Sequence, residues 1–202
     1  MIDDREQATR SWAKFLNPEV LRGNLIAASI FIAAYEMLRA SVIDQIRSFF
    51  SHEFKDGGWI ASPDYEKKCL SLDKSPFRAS LLWLKEMGAV DEADISRIDE
   101  IRHHRNELAH DLPKFLATVG DEVNVRLLGG IYELVTKVDR WWIREVEMTI
   151  DPDFDGRDVA DEDITSGRML FIQTMIRIAT GEDSEVFWKE FQKQLAVTSP
   201  SM

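Results

Sequence analysis

Residues 21–54 read LRGNLIAASIFIAAYEMLRASVIDQIRSFFSHEF, and this stretch decides the fold. Asn17 and Pro18 precede it as a cap and a first helical residue. Apart from Gly23 it contains no residue that breaks a helix, and Asp56-Gly57-Gly58 is expected to end it. Apolar residues recur along it at helical spacing: Ile26, Ile30, Ala33, Met37, Ile43 and Ile46. The stretch therefore predicts one long helix with an apolar face.

The rest of the chain divides into shorter helical stretches separated by glycine, proline and acidic residues. Residues 59–74 have no clear pattern and are expected to be irregular. Continuous alternation of apolar and polar residues, the mark of a strand, is absent. The predicted helices run from Ser75 to Gly88, from Asp91 to Leu112, from Asp121 to Met148, from 164 to 179 and from 184 to 196, the last capped by Asp183. We expect an all-α fold, an antiparallel helical bundle of about six or seven helices.

A chain of 202 residues is long enough to bury the core of one domain. Residues 1–150 are expected to form the helical bundle. Residues 151–163 read as an acidic connector, and the two helices that complete residues 151–202 are expected to pack on the same domain.

The composition limits the function. The formal net charge of −11 argues against a broad nucleic-acid binding surface, because such surfaces need clustered cations. The single cysteine, Cys69, cannot form a disulfide within the chain and fits a reducing compartment. The N-terminal residues MIDDREQATR do not resemble a signal peptide, and the apolar run Leu25–Ala34 is too short to span a bilayer. We expect a soluble, cytoplasmic protein without a membrane partner.

The most basic segment of this acidic chain is RHHRNELAH at residues 102–110, with two arginines and three histidines. Successive residues of a helix are about 100° apart around its axis. Arg102, Asn106 and His110 therefore form a stripe, and His103 lies close to His110. Arg105 falls inside the apolar arc expected to face the core, which contains Ile98, Ile101, Leu108, Ala109 and Leu112.

A guanidinium on an apolar arc needs a carboxylate, a cleft or an interface. One interpretation is structural: Arg105 pairs with an acid such as Glu36, and the histidines only flank the core. The other interpretation is a functional site in which Glu36, from the middle of the long helix, holds Arg105 in place. Glu36 also fits a solvent-facing acid, so both interpretations stay open at this point.

The segment Arg105-Asn106-Glu107-Leu108-Ala109-His110 resembles the R-x4-6-H motif of the HEPN superfamily, in the form with a polar residue directly after the arginine. HEPN domains are helical bundles, and many are metal-independent ribonucleases that act as toxins, abortive-infection proteins or CRISPR-associated effectors. The resemblance covers roughly residues 18–148 and does not explain residues 59–74 or about the last fifty residues. It implies a HEPN-like bundle and a ribonuclease that needs no cofactor.

The resemblance also implies roles for individual residues. His110 is the expected acid or base, Arg105 the phosphate clamp and Asn106 an orienting hydrogen-bond partner. Glu36, Arg102 and His103 are supporting candidates. One histidine cannot easily serve both the attacking and the leaving oxygen, and Arg105 and His110 lie about 140° apart on an ideal helix. Both points favour a composite site in a homodimer, although His103 is an alternative second base within one chain.

The partners expected on this basis are an RNA substrate, a second copy of the chain and, as a further candidate, an antitoxin protein. The endoribonuclease belongs in a toxin or antiphage setting. The alternative function is a non-catalytic dimeric helical module that binds a nucleotide or a protein partner and keeps the motif as an interface cluster of ion pairs.

The connector DPDFDGRDVADE, residues 151–162, matches the spacing of a calcium-binding EF-hand loop. The oxygen ligands would come from four acids: Asp151, Asp153, Asp155 and Glu162. Against this, Asp158 occupies a position that is usually apolar, and Pro152 is awkward in such a loop. The weaker hypothesis is therefore a calcium site, and the stronger one is an acidic linker whose last acids cap the next helix.

Overall fold

The computed structural model describes residues 4–55 and 58–180 and, beyond them, Lys189. Its helices are α1 (Asp4–Leu16), α2 (Pro18–Phe49), α3 (Pro63–Lys68), α4 (Pro76–Glu86), α5 (Glu92–His110), α6 (Leu112–Ala117), α7 (Val125–Trp142), α8 (Met148–Ile150) and α9 (Gly167–Ala179). A π-helical segment, Ile143–Glu147, joins α7 to α8, and the strands are β1 (Ser51–Lys55) and β2 (Gly58–Ala61). The all-α prediction is confirmed. The helix predicted at 184–196, with its cap Asp183, lies outside the described residues.

The long helix α2 is the central element, and α1, α4, α5, α6, α7 and α9 all pack against it. Its start is the predicted one: Pro18 is the first residue, and the Asn17 side chain accepts hydrogen bonds from the backbone N–H groups of Glu19 and Val20. The core that α2 shares with the other helices includes Phe31, Leu38, Ile46, Leu84, Ile98, Ile101, Leu108, Ile131, Leu134 and Ile172.

The apolar residues that recur at helical spacing along α2 are mostly not its most deeply buried ones. Of these six, Ile46 is buried; Ile30, Met37 and Ile43 are half-buried and pack against the core, and Ile26 and Ala33 are exposed. The buried residues are instead Ala28, Phe31, Ala34, Tyr35, Leu38, Ser41, Val42 and Ile46. The physical reason is that α2 is apolar on several faces, because it packs against several helices, so periodicity alone does not select one face.

The end of α2 differs from the prediction as well. The helix ends at Phe49, and residues 51–55 turn back as β1 to pair antiparallel with β2. The Ser62 N–H donates to the Phe50 carbonyl (2.8 Å) and ties the base of this hairpin to α2. In sequence, the dipeptide Asp56-Gly57 separates the two strands, and Asp-Gly is common in hairpin turns. It was interpreted above only as the end of a helix. The region predicted to be irregular, 59–74, contains β2, α3 and a 3-10 turn at Leu70–Leu72.

Local capping explains most of the other helix boundaries. Asp91 and Asp94 cap α5 reciprocally, each side chain accepting a hydrogen bond from the backbone N–H of the other. Helix α5 ends at His110, and α6 starts separately at Leu112, one residue before Pro113. The helix predicted from Asp121 starts later, at Val125, since Asn124 is its cap.

The segment after the connector packs on the bundle through α9, which contacts α2 and α7. Helix α9 starts at Gly167, three residues later than predicted, and places Met169 and Ile172 in buried positions. Arg168 reaches back to Asp139 of α7, whose side chain is only 1% exposed. Ser166 also donates to this carboxylate, so two residues at the start of α9 are bound to one buried acid.

By length and composition alone, α2 could cross a membrane, with a mean hydropathy of 1.6 in its most apolar window. The same helix supplies eight of its residues to the protein interior. The core helix of a soluble protein meets the same criterion, and the cytoplasmic location stays a prediction.

Candidate functional site

Helix α5 carries the motif and lies between α2 and α7, with α6 at its carboxyl end. Ile98, Ile101 and Leu108 are buried as predicted. Ala109, predicted to face the core, is exposed, and Leu112 is half-buried after the break between α5 and α6. Compared with the predicted arc, the buried face of α5 is therefore turned towards His104, which was not predicted to lie in the core.

The Arg105 guanidinium is held across the α2–α5 contact. One Nη donates to the Glu36 carboxylate, and the other Nη donates to the Asn106 side-chain oxygen (3.2 Å). The guanidinium carbon lies 5.4 Å from the centroid of the Tyr35 ring, within the range of a cation–π contact. Its Nε is buried and has no hydrogen-bond partner among residues 4–55 and 58–180. The side chain is 29% exposed, so part of the guanidinium faces solvent.

The aromatic ring beneath Arg105 is itself buried. Tyr35 packs edge-on against Phe77 of α4, with the ring centroids 6.4 Å apart. Burial raises the pKa of the Tyr35 hydroxyl, and the neighbouring Arg102 and Arg105 oppose this shift. The ring is therefore neutral and provides a fixed platform for the guanidinium.

The remaining candidates on α5, which are Arg102, His103 and His110, are exposed and make no hydrogen bond or ion pair with the Arg105 side chain among the described residues. Arg102 pairs with Asp99 (3.0 Å), and His103 Nε2 lies 3.7 Å from Glu107 Oε1. His110 is exposed at the last position of the helix and has no hydrogen bond or ion pair within the part of the chain that the structure describes. Among the described residues of one chain, Arg105, Asn106 and Glu36 are therefore brought together, and no hydrogen bond or ion pair joins His110 to them.

His104, which lies in the basic segment 102–110 just before the motif, has a structural role. Its Nε2 accepts a hydrogen bond from the backbone N–H of Asn124, the cap of α7 (3.0 Å), so the ring proton is on Nδ1, 3.6 Å from Glu107 Oε2. The rings of Phe31 and Phe115 pack edge-on against the imidazole. Burial lowers the pKa of His104, against a smaller opposing effect of Glu107. A neutral imidazole thus ties α5 to the start of α7.

This arrangement predicts a pH dependence of stability. The folded-state pKa of His104 lies below the unfolded value of about 6.5, so the unfolded chain binds the extra proton first. The stabilisation is present in full above that unfolded value and is lost as the pH falls from there through the folded pKa. We expect the wild-type free energy of unfolding, measured with urea, to fall more between pH 7.5 and pH 5 than that of the His104→Gln variant.

The glutamine keeps an acceptor for the Asn124 N–H but does not titrate, and the carboxylates that also respond to pH are the same in both proteins. His52→Gln is the matched control for the loss of an imidazole, because His52 lies on the exposed strand β1 and not on α5. Equal losses for wild type and His104→Gln would show that His104 does not couple protonation to folding.

Two arginines beside the site were missed by the sequence analysis. Arg39 of α2 lies 3.7 Å from the second oxygen of Glu36, and Arg78 of α4 shares Asp99 with Arg102. The spacing Glu36-x-x-Arg39, one helical turn, was the sequence signal for the first. Arg78 had no such signal, because its contact with Asp99 depends on how α4 and α5 are both placed against α2.

The acids of the connector do not form a cation site among the described residues, where no three histidine, cysteine or acidic side chains come together in a way that suits a metal. Asp151 instead caps a 3-10 turn, Pro152–Phe154, by accepting from the Asp153 N–H (3.0 Å). Glu162 lies in a separate 3-10 turn, Asp161–Asp163. The last acids of the connector do not cap the next helix as predicted, because Ser166 is the cap of α9.

Comparison of the chain with protein-family models, with curated proteins and with solved structures found no match.

Proposed function

We propose that this protein is a HEPN-like, metal-independent endoribonuclease that works as a homodimer in a toxin or antiphage setting. The observation that carries the proposal is the state of Arg105. Its guanidinium is fixed by Glu36, Asn106 and the Tyr35 ring, yet part of it faces solvent. A planar, oriented set of N–H donors is suited to the charge that develops on a phosphate during cleavage.

The proposed reaction uses only groups of the protein and of the RNA. The ribose 2′-oxygen attacks the adjacent phosphorus while a histidine takes the 2′-hydroxyl proton. The bond from phosphorus to the 5′-oxygen then breaks, and a histidine gives that oxygen a proton. The products are a 2′,3′-cyclic phosphate and a free 5′-hydroxyl. Arg105 stabilises the pentavalent phosphorus, and His110, exposed at the end of the same helix, moves the protons.

A second copy of the chain completes the proposed site, because one His110 does not serve two oxygens. Apolar surface on α1 and on α6, the helix that follows His110 in the chain, supports this dimer. Helix α1 buries none of its residues; Trp12 and Leu16 are 62% and 67% exposed. Trp12 and Phe15 form an open groove of about 540 Å³ with Pro113 and Leu116 of α6, the helix that follows His110. Contiguous exposed apolar surface is typical of protein interfaces.

A second candidate function is the non-catalytic dimeric helical module that binds a nucleotide or a protein. One observation favours it: three charged candidate residues, Arg102, His103 and Arg105, already have partners within the chain. These partners are Asp99, Glu107 and Glu36, respectively. In that case the arginines are structural and His110 has no chemical task. Loss or retention of RNA cleavage in variants decides between the two functions.

The proposal predicts that Arg105→Lys lowers the rate of RNA cleavage roughly 10- to 100-fold, because a single ammonium cannot supply the paired, planar donors of a guanidinium. The measurement is the single-turnover rate on a fluorescently labelled single-stranded RNA, with purified protein in excess. Arg22→Lys is the matched control, since Arg22 is exposed and pairs with Glu19 of the same helix turn at the start of α2.

The control should cleave at the wild-type rate. Cleavage by Arg105→Lys at that same rate would remove Arg105 from the mechanism. A wild-type protein that leaves RNA intact would favour the non-catalytic module.

A further inference from the structure

Four arginines from three helices lie along one surface that contains the motif. Arg39 comes from α2, Arg78 from α4, and Arg102 and Arg105 from α5. We call this set the arginine ribbon. Arg102 and Arg105 are one helical turn apart, about 4.5 Å along the axis of α5. The other two extend the ribbon from α5 onto the neighbouring helices.

Shared carboxylates connect the members of the ribbon. Glu36 lies between Arg105 and Arg39, which is 3.7 Å from it. Asp99 lies between Arg102 (3.0 Å) and Arg78 (3.6 Å). Because each of these acids serves two arginines, every guanidinium keeps donors that its carboxylate does not use.

The ribbon carries a charge opposite to that of the whole chain. The four arginines pair with three acids, which are Glu36, Asp99 and, 3.6 Å from Arg78, Asp73. The full chain, by contrast, has a net charge of −11. The side chains of Arg39, Arg78 and Arg102 are about half exposed. Exposed ion pairs of this kind contribute only about 0.2–1 kcal/mol each, so a stronger anion can displace the carboxylates.

We propose that the arginine ribbon binds the phosphodiester backbone of single-stranded RNA next to the phosphate held at Arg105. This inference rests on the proposed endoribonuclease function and adds its substrate path: phosphates that neighbour the one at Arg105 contact Arg39, Arg102 and Arg78. Guanidinium groups bind phosphate oxygens through two parallel hydrogen bonds, which suits a track of successive phosphates. The ribbon reads the backbone, so it confers affinity without base sequence specificity.

The test measures binding apart from cleavage, in the full chain with His110→Ala as the parent so that RNA stays intact. The affinity for a labelled single-stranded oligoribonucleotide is measured by fluorescence anisotropy across a series of salt concentrations. Each arginine that neutralises a phosphate contributes about 0.7 to the slope of log affinity against log salt. We expect Arg39→Gln, Arg78→Gln and Arg102→Gln each to flatten the parent slope by about 0.7.

Two controls separate the ribbon from net charge and from folding. Arg22→Gln removes the same charge about 25 Å from Arg39 along the axis of α2, and it should leave the slope unchanged. Arg102→Lys keeps the charge and should keep the slope. Thermal unfolding of every variant shows whether the fold is intact.

The proposal is contradicted if the three glutamine variants have the same slope of log affinity against log salt as the parent. It is also contradicted if the parent binds no RNA even at low salt. Failure of the nuclease proposal has a different readout, which is intact RNA after incubation with the wild-type protein. RNA cleavage together with unchanged slopes would therefore reject the substrate path and leave the nuclease.

Discussion

Replacing His110 by alanine is expected to lower the rate of RNA cleavage by about 10²- to 10⁴-fold, the usual contribution of a general acid or base. The imidazole is exposed at the end of α5 and makes no contact that the described fold needs, so the free energy of unfolding should stay within about 0.5 kcal/mol of the wild-type value. The rate is measured under single-turnover conditions, and the mass of the assembly by light scattering.

Two other histidines give this experiment its controls. His52 on the exposed strand β1 is outside the motif, and His52→Ala should cleave RNA at the wild-type rate. His103→Ala distinguishes the two sources of a second base: retained cleavage favours the composite dimer site, and a loss as large as that of His110→Ala favours two histidines from one chain. A His110→Ala protein with the wild-type rate would falsify the assignment of His110.

The largest expected loss of stability comes from the buried ion pair between α7 and α9. The Asp139 carboxylate accepts two hydrogen bonds from Arg168, at 3.1 and 2.8 Å, and one from Ser166. Asp139→Ala leaves the guanidinium of Arg168 without its partner, and because this group is 31% exposed we expect a loss of about 3 kcal/mol, the lower end of the range for a buried pair. Urea unfolding, followed by circular dichroism, measures this loss.

A comparison of the stability losses after replacing each partner of this ion pair is a sharper check. Arg168→Met should cost at least as much as Asp139→Ala, because Asp139 is 1% exposed and cannot reach water, whereas Arg168 is 31% exposed. Glu133→Ala is the control on the same helix: its ion pair with Arg97 is on the surface and contributes only about 0–1 kcal/mol. A loss below about 1 kcal/mol in Asp139→Ala would mean that α9 is held by its apolar contacts alone.

Much of the fold was predictable because it depends on local chemistry. The caps Asn17 and Asp91 and the stop before Gly88 require only neighbouring residues, and the structure has them where the sequence placed them. Positive φ at Gly88 (+78°) is the backbone conformation that glycine adopts without strain at the end of a helix. The hairpin was missed because residues 51–54 were read as the end of the long helix, and only tertiary context shows that they pair with β2.

The candidate site was predictable in part for the same reason. The contact between Glu36 and Arg105 was one of the pairings that the sequence suggested, because a guanidinium on an apolar arc needs an acid nearby. The burial of His104 was not foreseen, since its partner is a backbone N–H far along the chain, at Asn124. Arg78 was missed because it reaches the site only through the packing of two helices. Contacts of this kind have no signature in spacing.

The chemistry of the RNA fragments tests the central claim most directly. The wild-type protein is incubated with single-stranded RNA in EDTA, and the fragment ends are identified by mass spectrometry and by their response to polynucleotide kinase. The account predicts 2′,3′-cyclic phosphates on one fragment and free 5′-hydroxyls on the other. Fragments with 5′-phosphates and 3′-hydroxyls, or cleavage that stops in EDTA, would contradict it.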